Sequence, residues 1–112
     1  MRIGVVGLGQ MGLGMAGRAV AAGASVTGSD LDPARLTAAM ALGVAPAASL
    51  AAVAAPVVVL SLPEGRAVAA VLAALLPMMQ AGAIIADTST LDPIAARGFA
   101  ASCAAHGWPI ST

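Results

Sequence analysis

The chain has 112 residues, 60% of them apolar and 9% charged, with five arginines, five acidic residues and a formal net charge of zero. That length fits one domain, the apolar content excludes a disordered chain, and the absence of a basic excess excludes a nucleic-acid surface. There is no lysine, so neither a Schiff base nor a lysine acid catalyst can come from these residues; the single cysteine, Cys103, excludes an internal disulfide and a cysteine-based metal cluster and suits a reducing cytoplasm.

Ile3, Val5 and Val6 predict a short strand ended by Gly7. Met11, Met15, Ala19 and Ala22 then recur at helical spacing over 10–22, with Gly23 where a helix ends. Residues 25–30 read as a second strand, and Asp32-Pro33 as the N-cap and first residue of a helix running to about Leu42, closed by Gly43. Ser49 opens a short helix through Val53, with room for a weak strand before it. Val57-Val58-Val59-Leu60 is a β-branched run of the kind buried on both faces of a sheet. A helix is expected from Glu64 to about Leu76, a strand over 83–86, a helix from Asp92-Pro93 to about Ala105, and another strand starting at Trp108-Pro109-Ile110. Strands alternating with helices predict an α/β fold: a doubly wound, mainly parallel sheet with helices on both faces.

Two uncharged stretches, 36–63 and 67–86, raise the question of a membrane span. A span needs about 20 strongly apolar residues. These stretches are rich in alanine and broken by Gly43, Pro46, Pro56, Pro77 and Gln80, so no membrane segment is expected. The N-terminus imitates a signal peptide, but its glycines and Arg18 interrupt the apolar core, which favours a strand-turn-helix unit.

Gly7-Leu8-Gly9-Gln10-Met11-Gly12 is a G-x-G-x-x-G sequence placed between a strand and a helix. In that setting Gly7 permits a tight turn, Gly9 lets a pyrophosphate approach the backbone, and Gly12 lets the helix pack closely on the strand. The free N–H groups and the helix dipole face the phosphates. A glycine-rich turn without a ligand and a methyltransferase-type loop are the competing readings. Asp30 lies 21 positions after Gly9, where a carboxylate accepts hydrogen bonds from the adenosine ribose and repels a 2′-phosphate. The next residue is Leu31 rather than an arginine, so NAD is expected over NADP.

The stretch from Gly7 to Ala16 resembles the N-terminal fingerprint of the β-hydroxyacid dehydrogenases, the family of 3-hydroxyisobutyrate dehydrogenase, tartronate semialdehyde reductase and, more distantly, 6-phosphogluconate dehydrogenase. Leu60-Ser61-Leu62-Pro63 and Asp87-Thr88-Ser89-Thr90-Leu91-Asp92-Pro93 resemble two further family segments, and Arg97 fits the same pattern. The resemblance runs from residue 2 to about 109 and implies a Rossmann-type NAD-binding domain over 1–112, incomplete at its C-terminal end. It implies that Gly7, Leu8, Gly9, Gln10, Met11 and Gly12 hold the pyrophosphate and that Asp30 and Leu31 meet the adenosine. Leu62 and Pro63 would line the cofactor, Thr90 would touch the nicotinamide half, and Ser89 would bind a substrate carboxylate. Ser89 and Thr90 also suit a purely structural role as caps of the helix at Asp92.

Family members are much longer. They continue into a helical domain that carries a catalytic lysine, a substrate-binding asparagine and much of a dimer interface, whereas this chain leaves the pattern at Ile110-Ser111-Thr112. No catalytic residue and no metal ligand is therefore assigned. The resemblance implies hydride transfer between NAD and a small 3-hydroxy acid in a full-length enzyme, which would be the form that assembles into homo-oligomers. An imine-reductase-like relative, a stand-alone nucleotide-binding module and a product without function are the alternatives. Cys103 and His106 read as structural residues near the end of the last helix.

Overall fold

Arg2–Val6 forms β1, the strand at the centre of the sheet, and the rest of the domain is arranged around it. The computed structural model describes residues 1–87 and 110–111. On one side of β1 lie β2 (Ser25–Ser29) and the two-residue β3 (Ala45–Pro46). On the other lie β4 (Val57–Leu60), β5 (Ile84–Asp87) and β6 (Ile110–Ser111). The order is β3-β2-β1-β4-β5-β6 and every pairing is parallel. Parallel neighbours need crossovers. Among the described residues these include α1 (Gln10–Ala21), α2 (Pro33–Ala41) and α3 (Gly65–Leu75).

Alternation along the strands divides the core into two layers. Val5, Val59 and Val26 face α1 and α2 with Leu8, Ala16, Ala39 and Val44. Val6, Val58, Leu60 and Ile85 face the opposite layer, with Val68, Leu72 and Leu75 of α3. Side chains leave a strand on alternate faces, so the consecutive valines of β1 and β4 serve both layers. This is the doubly wound α/β arrangement that the alternating pattern predicts.

The local signals act as expected at several points. Asp32 is the N-cap of α2: its side chain accepts from the Ala34 N–H at 2.9 Å, and Pro33 follows it inside the helix. Gly23 and Gly43, which end α1 and α2, have φ of 96° and 98°, a conformation that a β-carbon disfavours.

Three expectations shift. Residues 50–53 make a single 3-10 turn. The helix after Glu64 gives way to a 3-10 turn at Leu76–Met78, where Pro77 has no N–H to continue the α-helical ladder. The strand expected over 83–86 lies at Ile84–Asp87, because the Ala83 N–H is drawn into a turn by the Gln80 carbonyl and pairing begins with Ile84 N–H donating to Pro56 O. The expected helix from Asp92-Pro93, with Ser89, Thr90, Arg97, Cys103 and His106, lies outside the described residues. Among the described residues no helix is long and apolar enough to cross a membrane.

Gly4 of β1 shows how closely the second layer is packed. A β-carbon there would lie 1.9 Å from the Val53 carbonyl oxygen, so the 3-10 turn rests directly on the strand backbone. Gly4→Ala is expected to lower stability by about 1–3 kcal/mol through overpacking, read as an earlier urea midpoint. An unchanged midpoint would show that the turn at 50–53 moves aside freely.

Candidate functional site

In an open α/β sheet, ligands bind beyond the carboxyl ends of the strands where the strand order reverses. Here that point lies between β1 and β4, and the glycine-rich turn stands on it. The turn is locked to both neighbouring strands. Gly7 N–H donates to Ser29 O at 2.9 Å, just past β1, and Ser61 N–H donates to Val6 O at 2.9 Å.

The three glycines of the motif occupy different surroundings. Gly7 has φ of 95°, and a β-carbon on it would come within 2.0 Å of Ser61 O and 3.2 Å of Leu62 Cδ2. A β-carbon on Gly12 would come within 1.9 Å of Gly7 O. These two are closed by the protein's own backbone. Gly9 is not: its backbone is ordinary, at φ −66°, and among the described residues an added β-carbon would meet only the Arg35 guanidinium, at 3.9 Å. Packing explains the first and third glycines, while no packing among the described residues accounts for the second.

Gly9 is also the N-cap of α1, and it provides no side-chain cap. The N–H groups of Gln10, Met11 and Gly12 begin the helix with no carbonyl behind them in the ladder. The first turn carries no acidic residue to compete for them. A helix start of this kind, open and without a cap, attracts an anion through its N–H groups and its dipole.

Asp30 follows β2 directly and has an additional structural role. Its Oδ2 accepts from the Leu8 N–H at 2.7 Å and its Oδ1 from the Asp32 N–H at 2.8 Å. One carboxylate thus ties the glycine turn to the start of α2. Its side chain is only 8% exposed. An ionised carboxylate offers about four acceptor positions, so two remain after these bonds, enough for the two hydroxyls of a ribose. Arg35, in the first turn of α2, places Nη1 3.9 Å from Asp30 Oδ2 and Nε 3.9 Å from Asp32 Oδ2.

The remaining expected site residues sort as follows. Gln10, Met11 and Leu31 are exposed beside the turn, Leu31 completely so. Leu62 is half-buried against Gly7 and Pro63 is exposed at the same edge. Leu8 buries its side chain in the core, and its N–H is engaged by Asp30, so it supports the loop from beneath. Ser89 and Thr90 lie outside the described residues; Asp87, which opens their motif, is buried at the end of β5 opposite Leu60. Sequence reasoning missed Arg35. The available signal was its place three residues after the Asp32 cap, on the first turn of a helix that starts beside Asp30.

An open cavity of about 430 Å3 lies at the other end of the sheet, bounded by Arg2, Pro56, Met78, Gln80 and Gly82. It adjoins the amino ends of β1, β4 and β5, away from the glycine turn. Among the described residues no cluster of histidine, cysteine, aspartate or glutamate is placed to hold a metal ion.

The strand order and the sorted glycines together define a Rossmann-type dinucleotide-binding domain. More narrowly, the chain belongs to the NAD-binding domains of the 6-phosphogluconate dehydrogenase type, whose family model matches residues 2–110. No functionally curated protein matches the sequence. Solved structures do. A 3-hydroxyisobutyrate dehydrogenase of Mycobacterium tuberculosis, determined with L-serine, superposes with a TM-score of 0.93 at 35% identity, over 97% of this chain and 38% of its own. A Streptomyces aurantiacus imine reductase superposes with a TM-score of 0.86 at 30% identity, over 98% of this chain and 39% of its own. Psf3, in complex with NADP+ and 2-OPP, superposes with a TM-score of 0.87 at 27% identity, over 96% of this chain and 40% of its own. The chain thus spans about two fifths of the length of these proteins.

The glycine geometry makes an asymmetric prediction. Gly12→Ala should destabilise the fold by about 1–3 kcal/mol, because backbone must move. Gly9→Ala should cost less than about 1 kcal/mol, the scale of a weakened N-cap. Urea unfolding of both variants checks this, and equal losses would contradict the distinction between a closed and an open glycine.

Proposed function

We propose that this chain is the cofactor-binding part of a dehydrogenase that transfers hydride between NAD and a small 3-hydroxy acid. The observation that carries the reading is Gly9: it is the motif glycine that packing among the described residues does not require, and it adjoins a helix start without a cap. The likeness to 3-hydroxyisobutyrate dehydrogenase at 35% identity supports the substrate class. A second reading, imine reduction, is favoured by the 30% identity to the Streptomyces aurantiacus enzyme.

The residues present fit a dinucleotide. Gly9 leaves room over the loop, the Gln10, Met11 and Gly12 N–H groups receive phosphate oxygens, and the two remaining acceptor positions of Asp30 receive the ribose hydroxyls. Leu31 offers an apolar surface beside the ribose, while Leu62 and Pro63 flank the path toward the β4 and β5 ends. Ser89 and Thr90 are assigned to the substrate carboxylate and the nicotinamide half. When bound, the nicotinamide supplies hydride acceptance and donation. This chain's contribution is to position it: the glycine turn, braced by Asp30 and Ser61, holds one geometry. Reduction of a carbonyl also needs a proton donor. With no lysine among the 112 residues, that group is assigned to a part of the enzyme outside them.

Two outcomes follow. NADH should bind the purified chain with a fluorescence change. Asp30→Ala should weaken that binding about tenfold or more, the scale of losing charge-assisted hydrogen bonds, and should also lower thermal stability, because Leu8 and Asp32 lose their acceptor. Normal NADH affinity in the variant would remove Asp30 from the site. In a turnover assay with NAD and 3-hydroxyisobutyrate or glycerate, the 112-residue chain should stay far below the roughly 1 per second of working enzymes. Turnover at that rate would overturn the assignment of the proton donor.

A further inference from the structure

Ligands of an open α/β sheet gather at its carboxyl end, so the cavity at the amino end belongs to no part of the dinucleotide site. Two connections wall it. One leads from the 3-10 turn at 50–53 into β4 and brings Ala54 and Pro56; the other leads from α3 into β5 and brings Met78, Met79 and Gly82. The two are joined where Ile84 N–H donates to Pro56 O at 2.9 Å. The second is folded into a turn by Ala83 N–H donating to Gln80 O at 3.1 Å, with Gly82 at φ of 89° inside it. Backbone hydrogen bonds thus fix the walls. They bound about 430 Å3, within the range of about 300–1,000 Å3 that small-molecule sites occupy.

Arg2 supplies the charge. Side chains of β1 alternate between faces, so Arg2 shares the face of Gly4 and Val6, against which the turn at 50–53 packs. Among the described residues its guanidinium has neither a hydrogen-bond nor an ion-pair partner. Nor does a described carboxylate stand near to neutralise it: Asp30, Asp32, Glu64 and Asp87 all lie at the carboxyl end of the sheet. The last carbonyls of α3 oppose an anion with about half a charge, less than the full charge of the guanidinium. The remaining wall is alanine, proline and methionine, and methionine adapts its shape to an apolar guest. We propose that this cavity is a second binding site, for a small carboxylate with a short apolar tail. The planar fork of Arg2 suits the two carboxylate oxygens, and the tail lies against Pro56, Met78 and Met79.

The test follows backbone amide chemical shifts of the 15N-labelled 112-residue chain during titration with hexanoate, hexanamide and acetate. Hexanoate should give saturable changes centred on Arg2, Ala55, Gln80 and Gly82, with the glycine turn unchanged. Hexanamide keeps the tail and lacks the charge, and should bind about tenfold more weakly, the scale of a lost charge-assisted hydrogen bond. Acetate keeps the charge and lacks the tail, and should also bind about tenfold more weakly or worse. Arg2→Gln should lower hexanoate affinity about tenfold at an unchanged melting temperature, since the side chain is exposed. Ala81→Glu places a carboxylate on the exposed wall and should lower it by repulsion without touching β1. Saturating NADH should leave hexanoate affinity within about twofold, because the two sites lie at opposite ends of the sheet. The proposal is overturned by the absence of a saturable change with hexanoate, by equal affinity for hexanoate and hexanamide, by unaltered affinity in either variant, or by displacement of hexanoate by NADH.

Discussion

At the end of β1 the chain turns against two other backbones so closely that a single methyl group cannot be accommodated. Gly7 lies against the Ser61 carbonyl, and Gly12 of α1 lies against the Gly7 carbonyl. The consequence is geometric: α1 can begin only where it does, with its first N–H groups directed beyond the sheet. Atoms in this interior give way poorly, because it is packed to crystalline density. The open face of Gly9 is thus a product of closure on both sides of it.

Asp30 extends that constraint sideways. By accepting from Leu8 and Asp32, it joins the turn after β1 to the turn after β2. The carboxylate proposed to meet a ribose is thereby part of the scaffold that shapes the glycine turn. Such coupling makes the site preorganised: little side-chain freedom is lost when a ligand arrives. Arg35 is the adaptable element beside it, exposed and held by long contacts.

Much of this was legible in the chain itself. The β-branched run at 57–60, the Asp32-Pro33 cap and the glycines at 23 and 43 each carry a local physical cause, and each lies where that cause puts it. The G-x-G-x-x-G spacing likewise foretold the tight turn at Gly7 and the close packing at Gly12. Less legible were features that depend on two segments meeting in space. Asp30 reads as a ribose ligand from its distance along the chain, but its hold on the Leu8 N–H arises only when β1 and β2 pair. The approach of Arg35 to Asp30 is not a feature of neighbouring residues in the chain: the start of α2 brings the fifth residue onward back toward the carboxylate. The two residues of β3 were too few to show a period, and only pairing with Thr27 and Gly28 defines them.

The central claim is that a dinucleotide lies over Gly9 and the first turn of α1. Backbone amide chemical shifts of the 15N-labelled chain during titration with NADH test it most directly. The account predicts that the largest changes fall on Gly9, Gln10, Met11, Gly12 and Leu31, with little change at Gln80 and Gly82 beside the cavity at the far end of the sheet. Changes concentrated at Gln80 and Gly82, with the glycine turn unaffected, would contradict it.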